Sequence, residues 1–361
     1  MIIMKKILMV TEAFGGGVFS YVSQLCNDMC DYFEIYLAYS AQRSETPKDY
    51  KKFFDPRVHL IEVEDFEKKN LKNIFKIVKV IKRLRKIEKE IHPDIIHLHS
   101  SIAGGIGRLA FKGKNNKVIY TPHGFAHILL GPGLKSKIYE VLEKILGKTN
   151  SIILTCCESE DKEAKKFSNN TAYIETGINI KDLNMSLDQI PIKKMQNLTV
   201  FSLGRICKQK RPELFNQIAL QVPEVNFIWV GGGELVQVLN APNIKVTGWL
   251  PRKEALAIAK GANIFILCSY GEAIAMSLLE NMFIKKLCLV SNTIGNQSVI
   301  KNGVNGFLCN SVDDYVNHIK DAVIKFPTQL INKAYDDVIN IYNTNTMAEK
   351  YVQFYNYLIK K

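Results

Sequence analysis

The segment Gly271-Glu272-Ala273-Ile274-Ala275-Met276-Ser277-Leu278-Leu279-Glu280 sets two carboxylates eight positions apart, directly after the apolar run Ile264 to Cys268. A strand ending before Gly271 and a helix opening within the segment would put Glu272 on the loop and Glu280 about two turns inside the helix. Small residues at Ala273, Ala275 and Ser277 would let the amides of that helix start approach a diphosphate, which the helix dipole also favours. Glu280 could then accept hydrogen bonds from ribose hydroxyls and Glu272 from a sugar. The same spacing also occurs on a solvated helix face, where two glutamates only meet water. A second constellation, Phe201 to Pro212, ends an apolar run in Gly204 and sets Arg205 and Lys210 five apart. A departing nucleotide diphosphate carries about two to three negative charges, which paired cations at a strand end can neutralise. Isolated basic residues are otherwise ordinary surface residues.

The first half of the chain has its own set. Gly15-Gly16-Gly17 follows the run Ile7 to Val10 and precedes the helical pattern Val18 to Met29. Consecutive glycines there either make a turn or let backbone approach a phosphate or sugar. Thr121-Pro122-His123-Gly124-Phe125 follows Val118 to Tyr120 and offers an imidazole that can serve chemistry or a structural hydrogen bond. His97, His99, Ser100 and Ser101 lie at the end of another run, and Ala103-Gly104-Gly105 suits a helix start. His99, Ser100 and Gly104 are candidates for an acceptor, and His97 is expected to point into the core.

These residues need strands to end where they begin. Ile7 to Val10, Ile35 to Ala38, Ile95 to Leu98, Val118 to Tyr120 and Ile152 to Thr155 alternate with helical or polar stretches, the rhythm of a parallel sheet with crossover helices. The stretch Lys181 to Asn197 loses that rhythm, as a linker does. It restarts at Leu198 to Leu203, Phe227 to Val230, Ile244 to Val246, Ile264 to Cys268 and Leu287 to Ser291. The expected organisation is α/β: a Rossmann-like domain over 1–180, a linker over 181–197, a second Rossmann-like domain over 198–342, and a last helix over 343–361, with a cleft between the halves. Ligands in such sheets sit outside the carboxyl ends of the strands.

With these motifs in order, the second half resembles the donor domain of the retaining glycosyltransferases of family four, which have the GT-B fold. The resemblance rests on Gly204-Arg205 with Lys210, Val230-Gly231-Gly232-Gly233-Glu234-Leu235, Thr247-Gly248-Trp249-Leu250, the glutamate pair, and Gly303-Val304-Asn305-Gly306. It implies two Rossmann-like domains facing across a cleft, with the last helix crossing back to the first. It further implies that Arg205 and Lys210 grip a donor diphosphate, that backbone around Trp249 and Leu250 holds the base, and that Gly232 lies in the donor-binding set. Ala275, Met276 and Ser277 would supply phosphate-binding amides, Glu280 would meet the ribose, and Glu272 and His123 the sugar. Gly16, Gly17 and Gly204 would approach the donor. Two departures from the family pattern, Ala273, Ala275 and Ser277 in place of glycines and proline, and Ser298 where many members are acidic, leave the donor sugar open.

The implied reaction is transfer of a sugar with retention, from a nucleotide-diphosphate sugar to a saccharide acceptor that is lipid-linked, in capsule, exopolysaccharide or O-antigen synthesis. No metal or other cofactor is expected, since no Asp-x-Asp follows a strand. Related alternatives are a phosphorylase or nucleotide-sugar epimerase of the same architecture. The 361 residues are 47% hydrophobic and carry a net charge of +13, which favours phosphate-bearing partners: nucleotides, nucleic acid or an anionic membrane. Nucleic acid is disfavoured, because aromatic and basic residues do not alternate on a platform. The cations concentrate instead in Lys68 to Glu90, where Leu71, Ile74, Val78, Ile81 and Leu84 form an apolar face: a crossover helix with a solvated basic face, or one whose region Lys68 to Lys89 rests on anionic lipid. The eight cysteines have no zinc-site spacing and read as reduced core residues. The expected location is the cytoplasm, peripheral to the inner face of the cell membrane.

Overall fold

The computed structural model describes residues 4–43, 45–67, 73–112, 117–191, 195 and 197–361, and the chain divides into two compact units. The first comprises Met1–His127, Leu134–Glu175 and Thr344–Lys361, and the second Ile128–Gly133 and Thr176–Asn343. In chain order the first runs through β1 (Lys6–Thr11), α1 (Gly16–Met29), β2 (Glu34–Tyr39), β3 (His59–Glu62), α2 (Ile74–Ile91), β4 (Ile95–His99), α3 (Ser101–Ala110), β5 (Val118–Thr121), the short α4 (Ala126–Leu129), where the unit boundary falls after His127, α5 (Leu134–Leu146), β6 (Ile152–Thr155), α6 (Glu158–Ala164) and β7 (Thr171–Tyr173). The second continues with α7 (Ile180–Asp188), β8 (Thr199–Leu203), α8 (Pro212–Gln221), β9 (Asn226–Val230), β10 (Ile244–Val246), α9 (Arg252–Gly261), β11 (Ile264–Leu267), α10 (Met276–Phe283), β12 (Leu287–Ser291), α11 (Asn296–Val299), β13 (Phe307–Cys309), α12 (Val312–Ile324) and α13 (Thr328–Asn340). The last helix, α14 (Thr344–Lys360), belongs to the first unit.

Both sheets are parallel and doubly wound. Their strand orders are β3-β2-β1-β4-β5-β6-β7 and β10-β9-β8-β11-β12-β13. Each therefore reverses direction once, between β1 and β4 and between β8 and β11. Central strands are covered on both faces, so they read as unbroken apolar runs: Ile7 to Val10 and Ile264 to Leu267 are fully buried. The strands missing from the sequence reading, β3, β7 and β13, are all sheet edges with mostly exposed or half-buried side chains. Helix starts carry ordinary signals, with Pro212 opening α8 and a Ser311–Asp314 capping box opening α12. All eight cysteines are free and buried.

Two expectations need correction in detail. The stretch from Lys181, read as irregular, contains α7, because Asn179 caps its start by accepting from the Asp182 amide and Leu183 is buried; residues 192–194 and 196 lie outside the described residues. Helix α2 buries Val80, Leu84, Ile87 and Ile91, whereas Ile74 and Val78 are exposed; Lys68 and Leu71 lie outside the described residues. An apolar arc wide enough to be drawn two ways settles by what the sheet offers it, and here the helix is rotated from the expected face. Some of its basic charge is internally compensated, since Asp65 pairs with Lys76 at 3.0 Å and Lys79 at 3.1 Å. Among the described residues, no helix is long and apolar enough to cross a membrane. The rotation is testable by urea unfolding: Leu84→Ala is expected to lower stability by about 2–5 kcal/mol and Val78→Ala by no more than about 0.5 kcal/mol, and equal losses would contradict this packing.

Candidate functional site

At a reversal of strand order the two neighbouring strands send their chains to opposite faces, leaving a crevice beyond their carboxyl ends. In the second unit the crevice lies beyond β8 and β11. The loop leaving β8 brings Gly204, Arg205 and Lys210, and the loop leaving β11 brings Ser269 and Glu272. Lys210 Nζ donates to Glu272 Oε1 at 2.5 Å, and Ser269 Oγ donates to the same oxygen at 2.6 Å. Gln209 Nε2 donates to Gly271 O at 3.1 Å and Gln209 O accepts from Tyr270 N at 3.0 Å, so the two loops are stitched along their length. Arg205 is exposed on its loop, and Lys210 and Glu272 are half-buried.

Helix α10 begins directly after this pair. Ala275 is its N-cap with no side-chain cap, so the amides of Met276 and Ser277 belong to the first helix turn, whose donors have no carbonyl within the helix to meet. One residue above all fixes the loop: Gly295, at φ +88°, lies so close that an added Cβ would fall 1.8 Å from Ala273 O and 2.4 Å from Glu272 O. Glu280, on α10, accepts from Arg252 at 3.0 Å, and burial pushes its carboxyl up while Arg252 pulls it back. Gly232 lies under Trp249: a methyl there would meet the indole at 3.2 Å. The Trp249 ring itself is 64% exposed, and Leu250 beside it is half-buried.

The first unit repeats the geometry beyond β1 and β4. Buried Glu12, at the end of β1, accepts from Ser100 Oγ, from Ala103 N at 2.9 Å and from Arg43 Nη2 at 3.4 Å. Burial raises its carboxyl above the usual range, against the lowering effect of Ser100 and Arg43. His99, Ser100 and Gly104 are buried. Ser100 caps α3. His99 Nδ1 lies 3.0 Å from His123 Nε2. A Cβ on Gly104 would collide with the Tyr120 ring at 2.2 Å. His97 points into the core as expected, between Tyr355 Oη at 2.7 Å and Thr121 Oγ1 at 2.8 Å. Gly16 and Gly17 are exposed at the start of α1, and a Cβ at either would meet nothing within 4 Å.

His123 itself is half-buried with φ +54°, its ring edge-on to Tyr21 at 4.6 Å and its Nδ1 3.6 Å from Cys156 Sγ. The strained turn is pinned by Glu160, whose carboxylate accepts from Gly124 N at 2.8 Å and Cys156 N at 2.9 Å; burial pushes this carboxyl up to about 7. Burial also pushes the His123 imidazole down to about 3, and His97 and His99 shift the same way. The ring is therefore neutral at neutral pH and can both donate and accept.

Sequence reasoning missed Glu12, Glu160, Arg252, Ser269 and Gly295. Glu12 and Ser269 had a usable signal, a polar residue immediately after a buried strand. Arg252 had none, because its partner Glu280 lies far along the chain on another helix.

Two doubly wound sheets, each with polar groups at its reversal point, are the architecture of the GT-B glycosyltransferases. The profile described as Glycosyltransferase Family 4 matches residues 15–182 and that described as Glycosyl transferases group 1 matches residues 186–337; the chain belongs to the group 1 glycosyltransferases. Similar proteins include the Escherichia coli UDP-Gal:alpha-D-GlcNAc-diphosphoundecaprenol alpha-1,3-galactosyltransferase, 29% identical over 70% of this chain and 69% of that one. The E. coli O-antigen biosynthesis glycosyltransferase WbnH is 27% identical over 87% and 88%. Among solved structures, a sucrose-phosphate synthase from Thermosynechococcus elongatus superposes with a TM-score of 0.82 at 16% identity, over 99% of each chain.

The neutrality of His123 is directly measurable. Its ring proton shifts, followed by NMR, are expected to stay flat from about pH 8 to pH 5, whereas an inflection near the ordinary value of about 6.5 would refute the neutral ring. Because the folded value is depressed, the stability tied to this ring is present above about 6.5 and is lost as pH falls toward the folded value.

Proposed function

We propose that the chain transfers a sugar, with retention at the anomeric carbon, from a nucleotide-diphosphate sugar to a lipid-diphosphate-linked saccharide in the synthesis of a surface polysaccharide. The observation that carries this reading is the Lys210–Glu272 pair at the β8/β11 reversal, set beside the uncapped start of α10: a cation, a carboxylate and helix amides converge where a diphosphate and its sugar would lie. The names of the relatives support the acceptor class, since the E. coli galactosyltransferase is named for a diphosphoundecaprenol-linked sugar and a Campylobacter jejuni relative, 24% identical over 49% of this chain, is named for a diphospho-undecaprenol substrate as well.

In this mechanism the bond from the anomeric carbon to the diphosphate breaks as the bond to the acceptor oxygen forms on the same face, and the acceptor proton passes to a diphosphate oxygen. Lys210 and Arg205 offset the charge that develops on the leaving group, aided by the Met276 and Ser277 amides. Ser269 and Lys210, both donating to Glu272 Oε1, hold its carboxyl group in place to orient sugar hydroxyls. Glu280, exchanging Arg252 for ribose hydroxyls, and the Trp249–Gly232 surface take the nucleoside. Neutral His123 offers a hydrogen bond to a sugar hydroxyl without adding charge. No divalent metal is required, because these cations and amides serve the diphosphate.

Thermal unfolding with UDP, GDP and ADP tests the donor site. One nucleotide at about a hundred times its dissociation constant adds roughly 2.7 kcal/mol, a rise of a few degrees. The rise is expected to vanish in Lys210→Ala and shrink in Glu280→Gln; no response to any nucleotide would refute the site. Metal independence is tested by assaying transfer in EDTA: full activity is expected, and loss restored by magnesium would overturn it.

A further inference from the structure

Helix α5 carries its polarity the wrong way round for a helix packed on a sheet. Its inward side is anchored by a charge: buried Glu143 accepts from Arg108 Nη2 and from Tyr120 Oη, both at 2.8 Å, with the Arg108 guanidinium 4.2 Å over the Tyr120 ring. Its outward side bears Leu134, Ile138, Val141, Leu142 and Ile145, each between 45% and 77% exposed. At about 100° per residue these five fall within an arc of roughly 100°, a single continuous stripe. Exposed Lys135 borders the stripe on one side, and exposed Lys137 and Lys144 border it on the other, Lys144 pairing with Glu140 at 2.7 Å. A surface helix normally hides such an arc, and an exposed apolar stripe of this kind marks a contact.

We propose that α5 is a membrane-docking helix, lying in the plane of an anionic lipid surface with its five apolar side chains in the acyl boundary and its lysines reaching phosphate headgroups. The proposal rests on the reading that the acceptor is lipid-linked. Charge selects lipid over a second copy of the chain: a two-fold contact through this stripe would bring the same lysine rows together on a protein already at +13, whereas an anionic bilayer neutralises them. It also moves the contact away from α2, whose apolar arc is turned inward at Val80, Leu84, Ile87 and Ile91.

The test is flotation of the full chain with vesicles of phosphatidylglycerol and phosphatidylethanolamine, and with phosphatidylcholine alone. Wild type is expected to float with the anionic vesicles and not the neutral ones. The Ile138→Glu/Val141→Glu variant is expected to lose about tenfold or more in partitioning, and the milder Leu142→Ser/Ile145→Ser variant to lose less. Lys76→Glu/Lys79→Glu is expected to keep most of its binding. Thermal midpoints near wild type confirm that the variants are folded, as expected for exposed positions. Equal flotation of wild type and the glutamate variant overturns the proposal, as does wild type that floats with neither vesicle. A wild-type dimer in sedimentation that the glutamate variant converts to monomer, without vesicle binding, overturns it in favour of a contact between copies. Nucleotide stabilisation and transfer to a water-soluble saccharide, both measured without vesicles, report on the transferase reading separately and are expected to be unchanged in every α5 variant.

Discussion

Everything the two sites can do depends on the reversal of strand order in each parallel sheet. Where β1 meets β4, and again where β8 meets β11, the chain leaves for opposite faces and opens a crevice. Side chains bridge it, in the second unit beside the backbone bond from Tyr270 N to Gln209 O. In one unit Glu12 reaches from β1 to Ser100 and the start of α3; in the other, Lys210 reaches from the β8 loop to Glu272 beyond β11. The two bridges differ in a way that matters. Glu12 is buried and its shortest bonds go to a neutral hydroxyl and amide, so it fixes structure. The Lys210–Glu272 pair is half-buried and charged, so a phosphate can compete for the cation while the carboxylate keeps Ser269.

The surroundings of each bridge are rigid because close approaches leave no alternative. Gly295 presses its backbone onto the Glu272–Ala273 carbonyls at a φ that side chains avoid, so the loop bearing the carboxylate has one seat. In the first unit the His123 turn is held by Glu160 through two backbone amides, and the C-terminal helix is tied in by His97, between Tyr355 of α14 and Thr121 of β5. A desolvated, neutral histidine cluster results, since burying several imidazoles together costs least when none carries charge. Helix α5 follows a different logic, in which the Arg108–Glu143 bond fixes the inner side and frees the outer side for apolar residues. A buried pair of this kind adds little stability for its desolvation cost, but it sets which way the helix faces.

Most of the architecture was legible in the sequence, because central parallel strands are buried on both faces and announce themselves as apolar runs. Each run read from the sequence, from Ile7 to Val10 through Leu287 to Ser291, corresponds to a strand. The edges β3, β7 and β13 were not legible, since their half-exposed side chains do not form the buried runs of the central strands; of the edges only β10 was read, from Ile244 to Val246. The Lys210 and Glu272 candidates were legible from their places after strands, but not as partners: 62 positions separate them, and only the adjacency of β8 and β11 makes that distance 2.5 Å.

Period and motif are local properties of the chain, and so the fold class, the order of strands and helices, the loops that carry chemistry and the family could all be read from the residues alone. Which polar groups face one another was settled only by folding. Packing turned Glu280 toward Arg252, gave Ser100 to Glu12 and His99 to His123, rotated α2 so that Ile74 and Val78 face out, and brought the apolar stripe of α5 to the surface. Each of these depends on what lies opposite a residue in space, and helical periodicity states that a stripe exists without stating whether protein or solvent will cover it.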